Sequence, residues 1–514
     1  MKPMRRSVLY AVVFCAIWIL PSDGKAQSES VLGWSIPELP PPEPIRAGEY
    51  AERRRALMDA LGDGVAVIWG ARAPAQDYLP YQQNPAFRYL TGIEEPDAAL
   101  ILAKQGDRRD ERLFVLPRNP SREAWEGLRL GPAGATALTG ISALPTDSTM
   151  AVLERMLAQA TTLFALAAIP SAVALDAELE FEQQVLARIA ARYPQLQVRQ
   201  AGRALNALRA KKSPAELDRL RRATYLTAEA HRQAMMATAP DMNEFEIRAI
   251  VEYTFLRHGG DGPGYASIVG SGPNSTTLHY NADDRCMNDG EVLLFDVATY
   301  YAGYSSDVTR TIPINGTFTP DQRNLYDVVL GAQKAAESQI RQGARWQDLN
   351  TAASAALASG LAKLGLIDSP EATYDCGGGR TCPQLRLYYF HGLGHGVGLE
   401  VHDPDISQLD AFQPGSAVTI EPGLYVRGDV FDHLPDTPAN RSMIDRLRPV
   451  ADRYRNIGVR IEDVYIFDAN GVERASRGAP READEVEALM KQTSAVAANR
   501  RADVVAWRCP RIRT

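Results

Sequence analysis

The chain has 514 residues, of which 45% are hydrophobic and 23% charged, as in ordinary globular proteins. At about 100–200 residues per domain, this length predicts two or three domains. The net charge of -7 argues against nucleic acid as a partner, because binding to nucleic acid depends on cationic contacts with phosphate.

The first 26 residues have the pattern of a secretory signal peptide. Arg5 and Arg6 form a basic start, and residues 7–20 are an apolar stretch. Gly24 and Ala26 are small residues at the positions that usually precede cleavage. An uncleaved anchor is the alternative, but the stretch is short for a membrane span, which needs about 20 residues. We therefore predict cleavage after Ala26, no membrane attachment afterwards, and a secreted or periplasmic protein.

A proline-rich segment, 27–45, is predicted to be an extended lead-in to the first domain. Helical and strand patterns then alternate, beginning with a helix pattern over 51–62 and a buried-strand pattern over 64–70. This alternation predicts an N-terminal α/β domain over 46–208.

A second domain is predicted to begin at the segment AKKSPAELDRLRRA. Ser213 suits a helix N-cap, Pro214 suits the first helical position, and Glu216 completes a capping box. Further on, helical patterns alternate with acid-bearing strands, which predicts an α+β domain over 209–491 and a basic tail over 492–514. Helices are predicted over 213–237, 243–258, 320–341 and 346–364.

Four carboxylates of this domain stand in or at the ends of apolar, strand-like segments: Asp296, Asp307, Glu421 and Glu462. A hairpin folded near residue 302 would bring Asp296 and Asp307 almost opposite one another. Acidic residues at turns and strand ends are usually solvated, but the apolar neighbours of Asp296 argue against that interpretation. Because neighbouring buried anions repel, the pattern predicts a bound cation.

Histidines cluster beside these acidic segments. The segment 391–403 contains His391, His395 and His402, and His279 lies in the segment TTLHYNADD. A lone histidine is more often a structural residue, but this concentration favours a functional site. The glycines of 391–403 do not form the GxGxxG pattern, so a dinucleotide site is not predicted.

Asp296, Asp307, His395, Glu421 and Glu462 form a candidate ligand set of four carboxylates and one imidazole. Five ligands are too many for one tetrahedral zinc, whereas two divalent ions with shared carboxylates suit them. Oxygen-rich coordination favours Mn²⁺, with Co²⁺ or Zn²⁺ as alternatives. Two such ions acidify a bridging water and stabilise the anionic intermediate of hydrolysis.

The order Asp, Asp, His, Glu, Glu, with its accompanying histidines, resembles that of the pita-bread metallopeptidases, and among them especially bacterial aminopeptidase P (Xaa-Pro aminopeptidase). The likeness extends to residues 79–102 in the first domain and to the loop 268–284, and it covers about residues 50–490. It implies an α+β protein, in which an N-terminal α/β domain precedes a pseudo-symmetric pita-bread catalytic domain.

The resemblance also implies a role for each candidate ligand. Asp307, His395, Glu421 and Glu462 would hold one metal ion. Asp296, Asp307 and Glu462 would hold the second, so that Asp307 and Glu462 bridge the pair. Glu421 would also manage the proton of the nucleophile.

Further residues match positions around the metals in that family. His402 and His391 match positions that contact substrate and stabilise the transition state, and His279 matches a position on the substrate side. Arg460 and Tyr425 match partners that orient the first aspartate ligand.

The predicted function is removal of the N-terminal residue from peptides that have proline second, through a metal-bridged water or hydroxide. Proline lacks an N–H and has a fixed φ, so its peptide bond calls for a dedicated pocket. The alternatives are a prolidase, which takes only Xaa-Pro dipeptides, and a metal-free relative such as a creatinase-like hydrolase or a binding module. The resemblance further implies a homo-oligomer, either a dimer or a tetramer.

Two segments depart from the family pattern, namely 375–387 and 427–455. We expect both to lie near the mouth of the site, where they would affect substrate length and contacts between subunits. Cys376 and Cys382 flank a glycine-rich loop and suit a small disulfide in an oxidising compartment, with two free thiols as the alternative.

Overall fold

The computed structural model describes residues 31–76, 78–168, 179–404, 410–494, 496 and 500–505. The predicted signal peptide and most of the predicted basic tail therefore lie outside the described residues. Within the described ranges, no helix combines the length and apolar character needed to cross a bilayer.

The first domain is built on one mixed sheet. Its elements are α1 (Ala47–Leu61), β1 (Gly64–Trp69), α2 (Pro85–Thr91), β2 (Ala99–Gln105), β3 (Arg108–Val115), α3 (Pro120–Glu126), α4 (Gly131–Thr139), β4 (Ala143–Pro145), α5 (Thr149–Leu157), β5 (Thr162–Ala165), α6 (Phe181–Arg192), β6 (Gln197–Gln200) and α7 (Gly202–Arg209). The strand order is β4-β3-β2-β1-β5-β6, with β1, β2 and β3 antiparallel and the outer pairings parallel.

Both faces of this sheet are covered, because successive residues of a strand point to opposite sides. Along β1, Val65 and Val67 pack into one hydrophobic cluster, whereas Ala66 and Ile68 pack into another. The alternation of strands and helices predicted from the sequence is present, and the fold class of the chain is α+β as predicted.

The second domain contains long helices and several small sheets. Its elements are α8 (Pro214–Ala237), α9 (Glu244–Arg257), β7 (Gly262–Pro263), β8 (Ile268–Ser271), β9 (Val292–Val297), β10 (Thr299–Tyr301), β11 (Tyr304–Ser305), β12 (Val308–Pro313), α10 (Pro320–Glu337), α11 (Trp346–Leu364), β13 (Thr373–Gly377), β14 (Arg380–Pro383), β15 (Ala417–Ile420), β16 (Gly423–Val426), α12 (Pro438–Arg453), β17 (Ile457–Arg460), β18 (Asp463–Asp468), β19 (Gly471–Arg474) and α13 (Ala483–Met490). A short helix, α14 (Ala502–Val505), follows.

The helix α8 begins as the sequence predicts. The Ser213 hydroxyl accepts a hydrogen bond from the Glu216 backbone N–H at 3.3 Å, and the Glu216 carboxylate accepts one from the Ser213 N–H at 2.8 Å. Both halves of the capping box are therefore formed.

Three small sheets of the second domain bring the acid-bearing strands together. They are β8-β9-β12, β15-β18-β19 and β16-β17. Asp296 lies on β9, Asp307 immediately precedes β12, Glu421 follows β15, and Glu462 lies between β17 and β18. The four predicted carboxylates thus come from strand ends that converge.

The predicted hairpin is present and folds about residues 302 and 303, but the two aspartates do not face each other directly. Asp296 stands opposite Thr309, and Asp307 lies two residues away along the partner strand. Its tight turn lies between β10 and β11, where Ala302 and Gly303 have φ of 48° and 90°, and the same register continues into β9 and β12. The two carboxylates are therefore diagonal neighbours, which still leaves them close.

The two segments that depart from the family pattern pack against each other. β13 and β14 form a hairpin closed by a disulfide between Cys376 and Cys382. Asn440, on α12, accepts a hydrogen bond from the Asp375 N–H at 3.1 Å and donates one to the Asp375 carbonyl at 2.9 Å. The disulfide that the sequence left open is present.

Candidate metal centre

A cavity of about 540 Å³ lies where the acid-bearing strands converge. All five candidate ligands line it, namely Asp296, Asp307, His395, Glu421 and Glu462. Its polar wall also includes His279, His391, His402 and Arg460, and its apolar wall includes Ala266, Ile268, Leu278 and Val401. The sequence therefore identified most of the polar wall of this cavity.

Asp296 and Asp307 share a hydrogen-bond donor. The Tyr265 hydroxyl contacts Oδ1 of Asp307 at 2.6 Å, and it also contacts Oδ1 of Asp296. Tyr265 stands just before β8, whose first residue, Ile268, pairs with Asp296. The tyrosine is thereby held beside both carboxylates.

His395 is positioned by the strand next to it. Thr419 of β15 donates its N–H to the His395 carbonyl at 2.9 Å. The His395 Nδ1 lies 2.9 Å from the Gly396 carbonyl, so the other ring nitrogen, Nε2, is the one that faces the carboxylates. Nε2 lies 3.4 Å from Oδ2 of Asp307 and 3.6 Å from Oε1 of Glu421.

The arrangement fits a bound cation. Asp307, His395 and Glu462 each offer a ligand atom, and these atoms lie within 4.8 Å of one another. Thr309 donates a hydrogen bond to Oε2 of Glu462 at 2.7 Å, but Oε1 of Glu462 is buried and accepts none from the described residues. A buried carboxylate oxygen without a donor is costly, and a metal ion would satisfy it.

Burial and mutual repulsion disfavour ionisation of Asp307, Glu421 and Glu462. Burial raises the pKa of Asp307 well above its usual range, and the Asp296 charge raises it further. Burial and the Asp307 charge likewise raise the pKa of Glu462, and burial and the Glu462 charge raise the pKa of Glu421 to about 8. A bound metal ion would favour the ionised carboxylates and so displace protons on binding.

A hydrogen-bonded chain supports the first aspartate. Arg460 contacts Oδ2 of Asp296 at 2.7 Å through Nη2 and contacts the Tyr425 hydroxyl at 2.9 Å through Nη1. The Tyr425 hydroxyl in turn lies 2.9 Å from Nε2 of His391. Arg460 and Tyr425 therefore lie where an orienting role requires them, and they link Asp296 to His391.

The remaining histidines surround the carboxylates. The His402 ring lies 4.4 Å from the His395 ring, centroid to centroid, and His279 stands on an exposed wall. Burial lowers the pKa of His391 to about 4, with a contribution from Arg460, and burial also lowers the pKa of His402. Both imidazoles are therefore neutral near pH 7.

Sequence reasoning missed Tyr265 and Thr309. Thr309 lies two residues after Asp307, so the alternation of side chains along a strand could have identified it. Tyr265 lies 31 residues before Asp296, and no local pattern connects the two. Only the pairing of β8 with β9 brings them together.

Neither segment that departs from the family pattern contributes to this cavity. No residue of 375–387 or 427–455 is among its lining residues in the described part of the chain. That both segments lie near the mouth of the site stays a prediction; they pack on each other through Asn440, and the charge of Arg386 in the first segment contributes to the lowered pKa of His391.

The sequence and the fold of the chain match those of known proteins. The sequence profile of metallopeptidase family M24 matches residues 218–469, and that of the aminopeptidase P N-terminal domain matches residues 50–164. The Xaa-Pro aminopeptidase of Escherichia coli (strain K12) is 33% identical over 464 residues, which cover 87% of this chain and 98% of that relative. Xaa-Pro aminopeptidase 3 of Rattus norvegicus is 31% identical over 465 residues, which cover 87% of this chain and 86% of that relative.

Solved structures show the same relationship. Aminopeptidase P from E. coli with the inhibitor Pro-Leu superposes with a TM-score of 0.72 at 30% identity. The matched region covers 87% of this chain and 99% of the E. coli chain. A structure described as a putative aminopeptidase P from Bacillus anthracis superposes with a TM-score of 0.74 at 25% identity. The matched region covers 88% of this chain and 100% of the B. anthracis chain. This chain therefore belongs to metallopeptidase family M24, in its aminopeptidase P group.

Proposed function

We propose that this chain is a metal-dependent exopeptidase that hydrolyses the bond between the N-terminal residue and a following proline. The observation that carries this proposal is the convergence of Asp296, Asp307, His395, Glu421 and Glu462 on one cavity. Relatives that are similar over nearly their whole length are Xaa-Pro aminopeptidases, and one solved relative holds the inhibitor Pro-Leu.

We assign the five ligands to two divalent ions. Asp307, His395, Glu421 and Glu462 would hold one ion, and Asp296, Asp307 and Glu462 would hold the other. When bound, the ions supply Lewis acidity for peptide hydrolysis and offset the carboxylate charge. The oxygen-rich donor set favours Mn²⁺ over softer metals, with Co²⁺ or Zn²⁺ as alternatives.

The surrounding side chains would act on the proton and on the substrate. Glu421 lies at the cavity wall, where its carboxylate can accept the proton of the attacking water and pass it to the leaving amine. His402 and His391 are neutral, so an N–H of His402 can donate to the substrate carbonyl as negative charge develops. The free α-amine of the substrate would lie near Asp296.

A prolidase and a metal-free relative are the two alternatives. Neither is favoured, because the relatives are Xaa-Pro aminopeptidases and all five ligand positions are filled at the cavity. Turnover of Xaa-Pro dipeptides and of Xaa-Pro-Yaa peptides should be compared. We expect release of the first residue from Xaa-Pro-Yaa, and activity confined to the dipeptide would contradict the proposal.

We further propose that the mature protein is secreted or periplasmic and that it forms a homo-oligomer, either a dimer or a tetramer. The pattern of the first 26 residues and the Cys376–Cys382 disulfide support an oxidising compartment. Cell fractionation with N-terminal sequencing tests the first point, with Gln27 as the expected new N-terminus. Analytical ultracentrifugation tests the second, and a monomer at micromolar concentration would contradict it.

A further inference from the structure

The loop between β8 and β9 forms one wall of the metal-site cavity. It leaves β8 at Ser271 and presents Leu278, His279 and Asn281 to the cavity. Much of this wall is exposed, and no residue in the described part of the chain forms a hydrogen bond with the His279 ring. The position of His279 therefore depends on what holds the loop from behind.

Behind the loop stands one buried carboxylate. Glu244 is the first residue of α9 and is 0% exposed. Its Oε1 accepts hydrogen bonds from the Ser271 N–H at 2.6 Å, the Ser271 hydroxyl at 2.7 Å and the Asn274 amide at 3.2 Å. Its Oε2 accepts from the Tyr280 hydroxyl at 3.0 Å and the Arg285 N–H at 2.9 Å. Both ends and the middle of the loop are thus bound to one side chain.

All of these donors are neutral groups. Among the described residues, no arginine, lysine or histidine forms a salt bridge with Glu244, although Arg285 pairs with Glu291 nearby. A buried carboxylate without a counter-ion costs several kcal/mol unless hydrogen bonds satisfy it. The position of Glu244 at the start of α9 lowers that cost, because helix N-termini favour negative charge. The loop must therefore keep its donors aimed at Glu244.

His279 lies between two anchored neighbours. On one side, the Leu278 carbonyl accepts a hydrogen bond from Nη2 of Arg460 at 3.4 Å, and the same Nη2 contacts Asp296. On the other side, the Tyr280 hydroxyl contacts Glu244. The imidazole is therefore placed jointly by the metal-site arginine and by the buried glutamate.

We propose that Glu244 is a positioning residue, which fixes the 271–285 loop so that His279 meets the substrate. This rests on the proposed function of the cavity. A glutamine would keep the shape of the side chain but replace one acceptor oxygen with an NH₂ group that faces other donors. The loop would then lose at least one backbone anchor, and displacement of a catalytic wall by about 1 Å can cost about 100-fold in rate.

The test measures kcat/KM for Xaa-Pro-Yaa peptides in Glu244→Gln, His279→Ala and the double variant. We expect Glu244→Gln to lower kcat/KM at least tenfold with unchanged Mn²⁺ affinity in calorimetry. We also expect the double variant to be no worse than His279→Ala, because the two residues act through one contact. Additive losses, or a lost affinity for Mn²⁺, would assign Glu244 a general structural role and overturn the proposal.

Two further variants distinguish a local effect on the loop from misfolding of the protein. Tyr280→Phe removes a single hydroxyl from the loop, and we expect it to show a smaller loss with the same dependence on His279. Glu182→Gln is the matched control, because Glu182 also accepts a backbone N–H, from Leu166 at 2.9 Å, but lies in the first domain. A loss in Glu182→Gln as large as in Glu244→Gln would contradict a specific role.

Hydrogen exchange separates this proposal from the proposed function. Glu244→Gln should raise amide exchange within 271–285 more than elsewhere, and equal exchange in both proteins would overturn the positioning role. If the wild-type protein did not cleave Xaa-Pro-Yaa peptides, the proposed function would fail. The exchange result would still decide whether Glu244 holds the loop.

Discussion

At the scale of single residues, the site is governed by the cost of placing like charges together. Asp296, Asp307, Glu421 and Glu462 line one cavity, and among its lining residues in the described ranges only Arg460 provides a permanent positive charge. Their repulsion contributes to the raised pKa values of Asp307, Glu421 and Glu462, and bound metal ions would relieve it. Substitution of a side chain that contacts these carboxylates should therefore affect turnover or metal binding.

Glu421 is the first of these positions to test. Because Glu421 is proposed both as a ligand and as the group that manages the proton, Glu421→Ala should abolish turnover. General acid–base catalysis alone accounts for about 10²–10⁴-fold, so the loss should exceed that range. Steady-state kinetics with excess Mn²⁺ measures it, and a variant within tenfold of wild type would exclude the assigned role.

His402 should behave differently, because it is proposed to contact substrate and not metal. His402→Ala should lower kcat by about 10²–10³-fold, as expected for loss of one transition-state donor, and should keep most of the metal bound. Metal analysis by mass spectrometry should accompany the kinetics. His433→Ala, an exposed histidine of 427–455, is the control and should match wild type. Near-normal turnover in His402→Ala would mean that this role is wrongly assigned.

At the scale of elements, sequence patterns predicted the features that depend on interactions between nearby residues. The capping box of Ser213 and Glu216 identified the start of α8, because both residues satisfy backbone groups within one turn. The hairpin near residue 302 was predicted, but Asp296 and Asp307 are diagonal neighbours and not almost opposite, because a shift of one residue in the centre of the turn moves the facing residues by two. The contacts of Tyr265 and Glu244 were missed because their partners lie 27 to 42 residues away.

The disulfide hairpin of β13 and β14 provides a prediction at this scale. Its cysteines are six residues apart, so the loop-entropy contribution of the bond is about 2 kcal/mol. Replacing Cys376 and Cys382 together by serine should loosen the hairpin, as measured by faster amide exchange or proteolysis within 373–383. Turnover of Xaa-Pro-Yaa peptides should stay unchanged, because the hairpin does not line the cavity. A large loss of activity would place the hairpin at the substrate.

At the scale of the whole molecule, metal binding and stability should be linked through pH. Ions that bind the folded chain stabilise it by mass action, so chelation should lower the melting temperature. The metal-free protein carries a Glu421 whose pKa is about 8, well above that of an unfolded glutamate near 4.3. Below pH 8, a metal ion must therefore displace a proton from the folded site.

This linkage predicts how the stabilisation by Mn²⁺ changes with pH. The increase in melting temperature that Mn²⁺ produces should be small near pH 6 and should grow as the pH rises towards 8. Thermal unfolding with and without Mn²⁺ at constant ionic strength measures it. A stabilisation that stays constant or falls over this range would show that the carboxylates do not hold protons in the metal-free protein.

A buried ion-pair cluster that does not line the cavity should affect stability at lower pH. Burial opposes ionisation of Asp403, but Lys212 and Arg209 pair with it and hold its pKa below its usual range. Its contribution to stability is full above the unfolded pKa, near 3.9, and is lost as the pH falls through the lower folded value. Asp403→Asn should therefore flatten the acid limb of the stability curve, and an unchanged limb would contradict the pairing.

The central claim is that a metal-loaded cavity removes the residue ahead of proline. The most direct measurement is cleavage of matched Xaa-Pro-Yaa and Xaa-Ala-Yaa peptides by the purified protein, first with a chelator and then with excess Mn²⁺. We predict release of the first residue from Xaa-Pro-Yaa only, with loss of activity in chelator and recovery with Mn²⁺. Equal cleavage of both peptides, or cleavage that persists after the metal is removed, would contradict it.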